Sequence, residues 1–169
     1  ILKDFSRLDR QSTEKVDIHE CIDSSLKIAT SHIRENNVLV NRSFSKLPKI
    51  VCTPSKLNQL FLNIITNASQ AMKTNGGELQ VKTQFNDNYI VVIFSDQGIG
   101  MNEETQQKMF DPFFTSKPIG EGTGLGMSIA YKIVQAHHGK IDVHSTPNIG
   151  TTITIQLPIE PPQSTTHAE

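Results

Sequence analysis

Residues 96–128, DQGIGMNEETQQKMFDPFFTSKPIGEGTGLGMS, hold six of the ten glycines in the chain. Two glycine clusters, 96–100 and 120–126, flank an apolar plug, Phe110-Asp111-Pro112-Phe113-Phe114. Glycine costs conformational entropy, so this density marks places where a backbone turns sharply or a ligand comes close. The second cluster runs into Leu125, Ile129, Ala130, Ile133 and Val134, which have helical spacing. Glycines leading into a helix N-terminus offer free N–H groups and a favourable dipole to an anion, a phosphate above all. A surface loop is the plain alternative. Two common nucleotide motifs fail. A Walker A loop needs Gly-Lys-Ser/Thr, and here Gly126 is followed by Met127 and Ser128. The dinucleotide fingerprint G-x-G-x-x-G fails because Gly126 comes one position early after Gly122 and Gly124.

A second group of residues could do chemistry. Gln59, Asn63 and Asn67 recur every fourth position, along one side of a predicted helix. Asparagine is a poor helix-interior residue, because its side chain competes with the backbone. Two in register beside a core face need a reason. One is a solvated polar face. The other is a pair of amide oxygens aimed into a cleft, suited to a Mg²⁺ carrying nucleotide phosphates. Asp96 ends a predicted strand. It is either a turn-starting Asp or a carboxylate that accepts a hydrogen bond from an exocyclic amine such as adenine N6. Gly98 and Gly100 would then keep the floor beneath a planar ring clear of side chains.

The elements that position these groups follow from periodicity. Residues 1–11 carry Ile1, Leu2, Phe5 and Leu8 near helical spacing, and 11–15 read as a polar linker. Asp17 with Glu20 resembles a capping box and opens an amphipathic helix to about residue 35. Strands are predicted over 38–44 and 49–52. Thr53-Pro54 starts a helix with a hydroxyl cap and a proline at its first position, running to about residue 73. Strands over 78–85 and 89–95 form a hairpin. The helix after the second glycine cluster runs to about residue 138, with Gly139 as its C-terminal cap and His137-His138 in its last turn. A second hairpin pairs 140–145 with 151–157. Residues 159–169 read as a disordered tail. The fold class is α+β, a two-layer sandwich whose mixed sheet is covered on one face by about three helices.

Composition narrows the function. The chain has 169 residues and a net charge of −1 with no basic stripe, which sets nucleic acid aside as a partner. No apolar run approaches the ~18 residues of a membrane span. Cys21 and Cys52 read as two buried thiols of a reducing compartment. The chain starts at Ile1 without a methionine or signal sequence and reads as part of a longer protein.

Four stretches, in order, now carry a family resemblance. Gln59-Leu-Phe-Leu-Asn63-Ile-Ile-Thr-Asn67-Ala68 resembles the N box of sensor histidine kinases, and Asp96-Gln-Gly98-Ile-Gly100-Met their first glycine box. Phe110-Asp-Pro-Phe-Phe-Thr-Ser-Lys117 resembles the F box, and Gly122-Thr-Gly124-Leu-Gly126-Met the second glycine box. The resemblance covers residues 14–158 and implies the ATP-binding Bergerat (GHKL) fold, shared with gyrase-type, mismatch-repair and heat-shock chaperone ATPases. Asn-Ala-Ser-Gln-Ala-Met with Phe-Phe-Thr-Ser-Lys-Pro is most similar to the nitrogen-regulation and dicarboxylate-sensing kinases. By that resemblance Asn67 ligates Mg²⁺, and Asn63 lies near metal and phosphates as a catalytic group. Asp96 binds adenine beside Gly98 and Gly100. Gly122, Thr123, Gly124, Leu125 and Gly126 admit the phosphates. Phe113 and Phe114 anchor a lid over residues 111–124, with Pro118 inside it. Many relatives carry a lysine where this chain has Gln70, and Lys117 is the substitute candidate for phosphate contact and catalysis.

The implied activity is an ATP-dependent protein histidine kinase with ATP and Mg²⁺ as cofactors. Its partners would be its own dimerisation and phosphoacceptor domain and a response regulator receiver domain. The resemblance implies a monomer for this piece, and a homodimeric, cytoplasmic full-length protein, with attachment to the inner membrane left open. Residues 1–13 would be the end of the dimerisation helix and a linker. The acceptor histidine is expected outside the chain. His19 precedes Glu20 but lacks the spaced proline, and His32, His137, His138, His144 and His167 fit no better. A hydrolase of the same fold would need a glutamate at Asn63 to activate water. An ATP-sensing module without phosphotransfer is the remaining alternative.

Overall fold

The computed structural model describes residues 12–111 and 126–161. The expected end of a dimerisation helix (1–11) and most of the expected tail (162–169) lie outside them. The elements are β1 (Glu14–Val16), α1 (Ile18–Ile28), α2 (Thr30–Glu35), β2 (Val38–Ser43), β3 (Ile50–Cys52) and α3 (Pro54–Ala71). They continue with β4 (Gly77–Asn86), β5 (Tyr89–Ser95), α4 (Glu103–Lys108), α5 (Gly126–Ala136), β6 (Lys140–Thr146) and β7 (Gly150–Pro158).

Five strands form one mixed sheet in the order β2-β4-β5-β7-β6. Only β2 and β4 run parallel, and the other neighbours are antiparallel. The sheet alternates as a one-sided sheet must. Leu79, Val81, Ile90, Val92, Phe94, Ile153, Ile155 and Leu157 point into the core, while Gln80, Lys82 and Gln84 are exposed. Helices α1, α3 and α5 cover the inner face, with α3 between the other two. Leu57, Leu60, Phe61, Ile64 and Ile65 of α3 are buried, and Phe61 meets Phe94 with ring centroids 5.9 Å apart. This is the α+β sandwich that the periodicity predicts.

Four local expectations change. The linker at 11–15 contains β1, which pairs antiparallel with β3 at Glu14↔Cys52, Lys15↔Val51 and Val16↔Ile50. Backbone bonds and the partly buried Val16 hold it, while Glu14 and Lys15 are exposed, so three residues carry too little alternation to mark a strand. The helix over 17–35 breaks at Ala29 into α1 and α2. There the Thr30 hydroxyl donates to the Lys27 and Leu26 carbonyls, competing with the helical ladder. Asp17 does cap α1, accepting from the His19 N–H. Thr53 caps α3 by position only, since its hydroxyl makes no cap bond. The short helix α4 was not legible, because six polar residues leave no apolar period. Its N-cap, Asn102, accepts from the Thr105 N–H.

The end of α5 also differs from expectation. The left-handed residue is His138, at φ 61°, and Gly139 follows it. The Gly139 N–H donates to the Val134 carbonyl and the His138 N–H to the Gln135 carbonyl, a Schellman closure. Gly139 is needed for space instead. A Cβ there would lie 2.2 Å from the Gln156 carbonyl oxygen of β7. Two substitutions should therefore move stability in opposite directions. His138→Gly relieves left-handed strain but adds unfolded-chain freedom, for a net gain of roughly 0.5 kcal/mol. Gly139→Ala forces α5 off the sheet and should cost roughly 1–3 kcal/mol. Urea midpoints measured at a constant denaturant slope check both signs.

Candidate nucleotide site

Asp96 emerges from the end of β5 and is held from several directions. Its N–H donates to the Thr151 carbonyl at 2.8 Å. Its Oδ1 accepts from the Gly98 N–H at 2.9 Å and the Thr151 N–H at 3.2 Å. Both carboxylate bonds fall on one oxygen, so the other is open to a donor from the cleft. Burial pushes the Asp96 pKa up, partly offset by the two backbone bonds.

The glycines around Asp96 serve the protein's own packing. A Cβ on Gly98 would sit 2.6 Å from Ala71 at the end of α3. Gly100 has φ +69°, and a Cβ there would meet the Thr146 carbonyl at 2.1 Å. Their side-chain directions point into protein, so their small size serves packing at these two positions. They let the loop lie against α3 and the β6–β7 turn. The Ile99 N–H donates to the Ala71 carbonyl, and the Ile99 carbonyl accepts from the Asn148 N–H. Gly150 makes the same allowance on the β7 side, since a Cβ would meet the Asp96 carbonyl at 2.0 Å.

Several supporting residues escaped the sequence reading. Ser145 Oγ accepts from the Met101 N–H at 2.7 Å and contacts Thr151 Oγ1 at 2.7 Å. Gln106 of α4 donates to the Met101 and Ser145 carbonyls and accepts from the Ser145 N–H. Thr151, Ser145 and Gln106 thus clamp the loop that carries Asp96. No spacing rule marks them, because the contacts of Ser145 with Met101 and Gln106, and of Thr151 with Asp96, join segments more than thirty positions apart.

Helix α3 links this loop to the asparagines. Ala71 touches the Gly98 loop, Asn67 lies one turn before it, and Asn63 one turn before that. Both asparagines are half-buried, whereas Gln59 is exposed. Asn63 Nδ2 donates to the Gly126 carbonyl at 3.1 Å, at the start of α5. A carbonyl can only accept, so the Asn63 nitrogen is committed there and its Oδ1 remains an acceptor. Asp96, Asn67, Asn63 and Gly126 thus fall along one path beside α3. Gly126 has room, since a Cβ would find its nearest neighbour, Asn63 Cγ, at 4.0 Å. Phe113, Phe114, Lys117, Gly122, Thr123, Gly124 and Leu125 lie outside the described residues. A separate cavity of about 620 Å³ lies at the other end of α5, lined by Lys56, Lys132, Ile133 and His137. It includes neither Asp96 nor the asparagines.

Other groups prove structural. His19 stacks on Phe44 with centroids 4.3 Å apart, and its Nε2 bonds Thr83 Oγ1 at 2.9 Å. Cys21 and Cys52 are buried free thiols, pushed by burial up to about 11 and about 12. No group of three or more His, Cys, Asp or Glu side chains suited to a metal occurs among the described residues.

A family model described as histidine kinase-, DNA gyrase B-, and HSP90-like ATPase matches residues 52–161. The chain belongs to that family. The signal transduction histidine-protein kinase AtoS of Escherichia coli (strain K12) is 33% identical over 162 residues, covering 95% of this chain and 26% of AtoS. The sensory histidine kinase/phosphatase NtrB of Azospirillum brasilense is 30% identical over 173 residues, covering 94% of this chain and 42% of NtrB. The chain thus spans well under half the length of either kinase. The mycobacterial sensor histidine kinase MprB superposes with a TM-score of 0.74 at 28% identity, covering 88% of this chain and 99% of the other. For the catalytic domain of histidine kinase ThkA the values are 0.77, 25%, 89% and 97%. This is an ATP-binding catalytic domain of the sensor histidine kinase type.

The environment of Asp96 generates a stability prediction for this ATPase domain. Its folded pKa is raised, so ionisation costs the fold stability. That contribution is present below the unfolded carboxyl value and is lost as pH rises through the folded one. Asp96→Asn keeps the oxygen that accepts from Gly98 and Thr151 but cannot ionise. Without nucleotide, its melting temperature relative to wild type should rise between pH 3 and pH 7. A flat difference across that range would place the carboxylate in contact with water.

Proposed function

We propose that this domain binds Mg-ATP and delivers the γ-phosphate to a histidine on a dimerising helical hairpin outside residues 14–158. The phosphate is then relayed to a response regulator receiver domain. The full-length protein would be a homodimeric, cytoplasmic kinase, with any membrane anchor in a part beyond this chain. Among the described residues, no helix is long and apolar enough to cross a membrane. The observation that carries the reading is the path along α3. A half-buried carboxylate sits at one end, and an amide oxygen oriented by its own Nδ2–Gly126 bond at the other.

Each residue then has a distinct role. The second Asp96 oxygen accepts from the adenine exocyclic amine. Asn67 and the Asn63 Oδ1 offer the hard oxygen ligands that Mg²⁺ prefers, with phosphate oxygens and water completing its shell. When bound, the metal neutralises charge on the phosphates. The protein's contribution is positioning and electrostatic stabilisation of a loose phosphoryl transfer. Lys117 would supply the positive charge that Gln70 does not. The donating Asn63 amide also argues against hydrolysis, since it has no basic lone pair to take a proton from water.

Three measurements test this reading. Incubated with γ-labelled ATP, the chain should bind nucleotide but form no acid-labile phosphohistidine. Strong self-labelling would make one of its own histidines an acceptor. Asp96→Asn should weaken ATP by roughly 1–3 kcal/mol and GTP by less, because an amide nitrogen can now face the adenine amine. Unchanged ATP affinity in calorimetry would remove Asp96 from the adenine site. Asn67→Ala should abolish most of the difference between titrations with Mg²⁺ and with EDTA, while raising helix propensity by roughly 0.5 kcal/mol. A variant that keeps the full Mg²⁺ difference would leave Asn67 as a polar-face residue.

A further inference from the structure

His137 lies far from the asparagines, at the opposite end of α5, yet both of its ring nitrogens are engaged. The Thr53 N–H meets His137 Nε2 at 3.1 Å. A backbone N–H can only donate, so Nε2 must carry a lone pair. The neutral ring then has its proton on Nδ1, which lies 2.9 Å from the Ile133 carbonyl. That carbonyl can only accept, so both contacts demand the same tautomer. The Ile133 carbonyl also takes the His137 N–H, which fixes the ring to the last turn of α5. Thr53 is the N-cap of α3, and its hydroxyl makes no cap bond.

A second hydrogen bond joins the same two helices, from Asn63 Nδ2 in the middle of α3 to the Gly126 carbonyl at the start of α5. Ten residues of α3 separate Thr53 from Asn63, a rise of about 15 Å. Eleven residues separate Gly126 from His137, about 16.5 Å if helical throughout. The two spans match, so α5 runs antiparallel to the first half of α3, with a polar pin at each end of α5. Between the pins the contact is apolar, with Leu60, Ala130 and Ile133 buried. Apolar burial is non-directional, whereas a hydrogen bond weakens steeply with distance and angle and so marks one axial register.

We propose that His137 is a positioning residue for the nucleotide site. Its imidazole sets the axial register of α5 on α3, and so the place of Gly126 and the orientation of the Asn63 amide. This rests on the nucleotide reading of Asn63 and Gly126. Lys56 on α3, Lys132 on α5 and His138 line the same cavity as His137. None of them is bonded to its ring, so substitutions there serve as controls.

The test uses the whole 169-residue chain. His137→Phe keeps a ring but removes the acceptor, and His137→Gln offers an amide oxygen at similar reach. Calorimetry with a Mg²⁺-bound non-hydrolysable ATP analogue is combined with the Asn63 side-chain amide resonances. In His137→Phe, affinity should fall about threefold to tenfold, the worth of a net hydrogen bond, and the Asn63 resonances should shift without nucleotide. His137→Gln should restore most of both, and Lys132→Ala neither signal should move. If His137→Phe lowers only the melting temperature, leaving affinity and Asn63 untouched, the residue is a helix cap and the proposal falls. Should His137→Phe fail to fold, His137→Asn, whose amide is too short, replaces it. Equal Asn63 resonances and affinity in the Asn and Gln variants would overturn the proposal. If the wild type binds no nucleotide, the reading of the site fails, while the Asn63 resonances still decide the pin.

Discussion

The apolar face of α3 packs against the sheet between α1 and α5, and this contact fixes the rotation of the helix about its axis. Five large side chains, Leu57, Leu60, Phe61, Ile64 and Ile65, are each essentially fully buried. Burying one such side chain is worth roughly 1.5–3 kcal/mol. Turning α3 by one residue would draw several of them into water, at a cost no surface contact could offset. Asn63 and Asn67 therefore stay beside the buried face and half-exposed, because the opposite face has nowhere else to go. Their own cost as helix residues is roughly half a kcal/mol each relative to alanine, small against the burial that places them.

The same helix carries the loop with Asp96. The Ala71 carbonyl receives the Ile99 N–H, and Gly98 closes on Ala71 where a larger residue would collide. The loop with Asp96 is thereby hung from the last turn of α3 and clamped from below by Thr151, Ser145 and Gln106. Burial makes the carboxylate costly to ionise, and the two N–H donors on one oxygen reduce that cost. Such a group has a use for a further donor on its second oxygen, which is the chemistry an amine-bearing base supplies.

Division of labour follows from this layout. Helix α3 holds the two amides, and the end of β5 leads into the Asp96 carboxylate. The start of α5 is tied to α3 through Asn63 and Gly126. His19 and His137 are both engaged in side-chain bonds and are framework residues.

By itself the sequence determined the layers, the helix over the N-box asparagines, the hairpins and the family. Those depend on periodicity, capping and residue types at fixed local spacing, which a chain displays without folding. The asparagine ladder and Asp96 were legible for that reason. Tertiary structure alone decided what the glycines are for. Gly98, Gly100, Gly139 and Gly150 are small because Ala71, Thr146, Gln156 and Asp96 approach them from distant segments. It also decided that β1 is a strand, since backbone pairing with β3 leaves no mark on side-chain pattern. The break at Ala29, the left-handed His138 and the two pins between α3 and α5 belong to the same class. Each is set by which groups meet in space, and separation along the chain conceals such meetings until the core has formed.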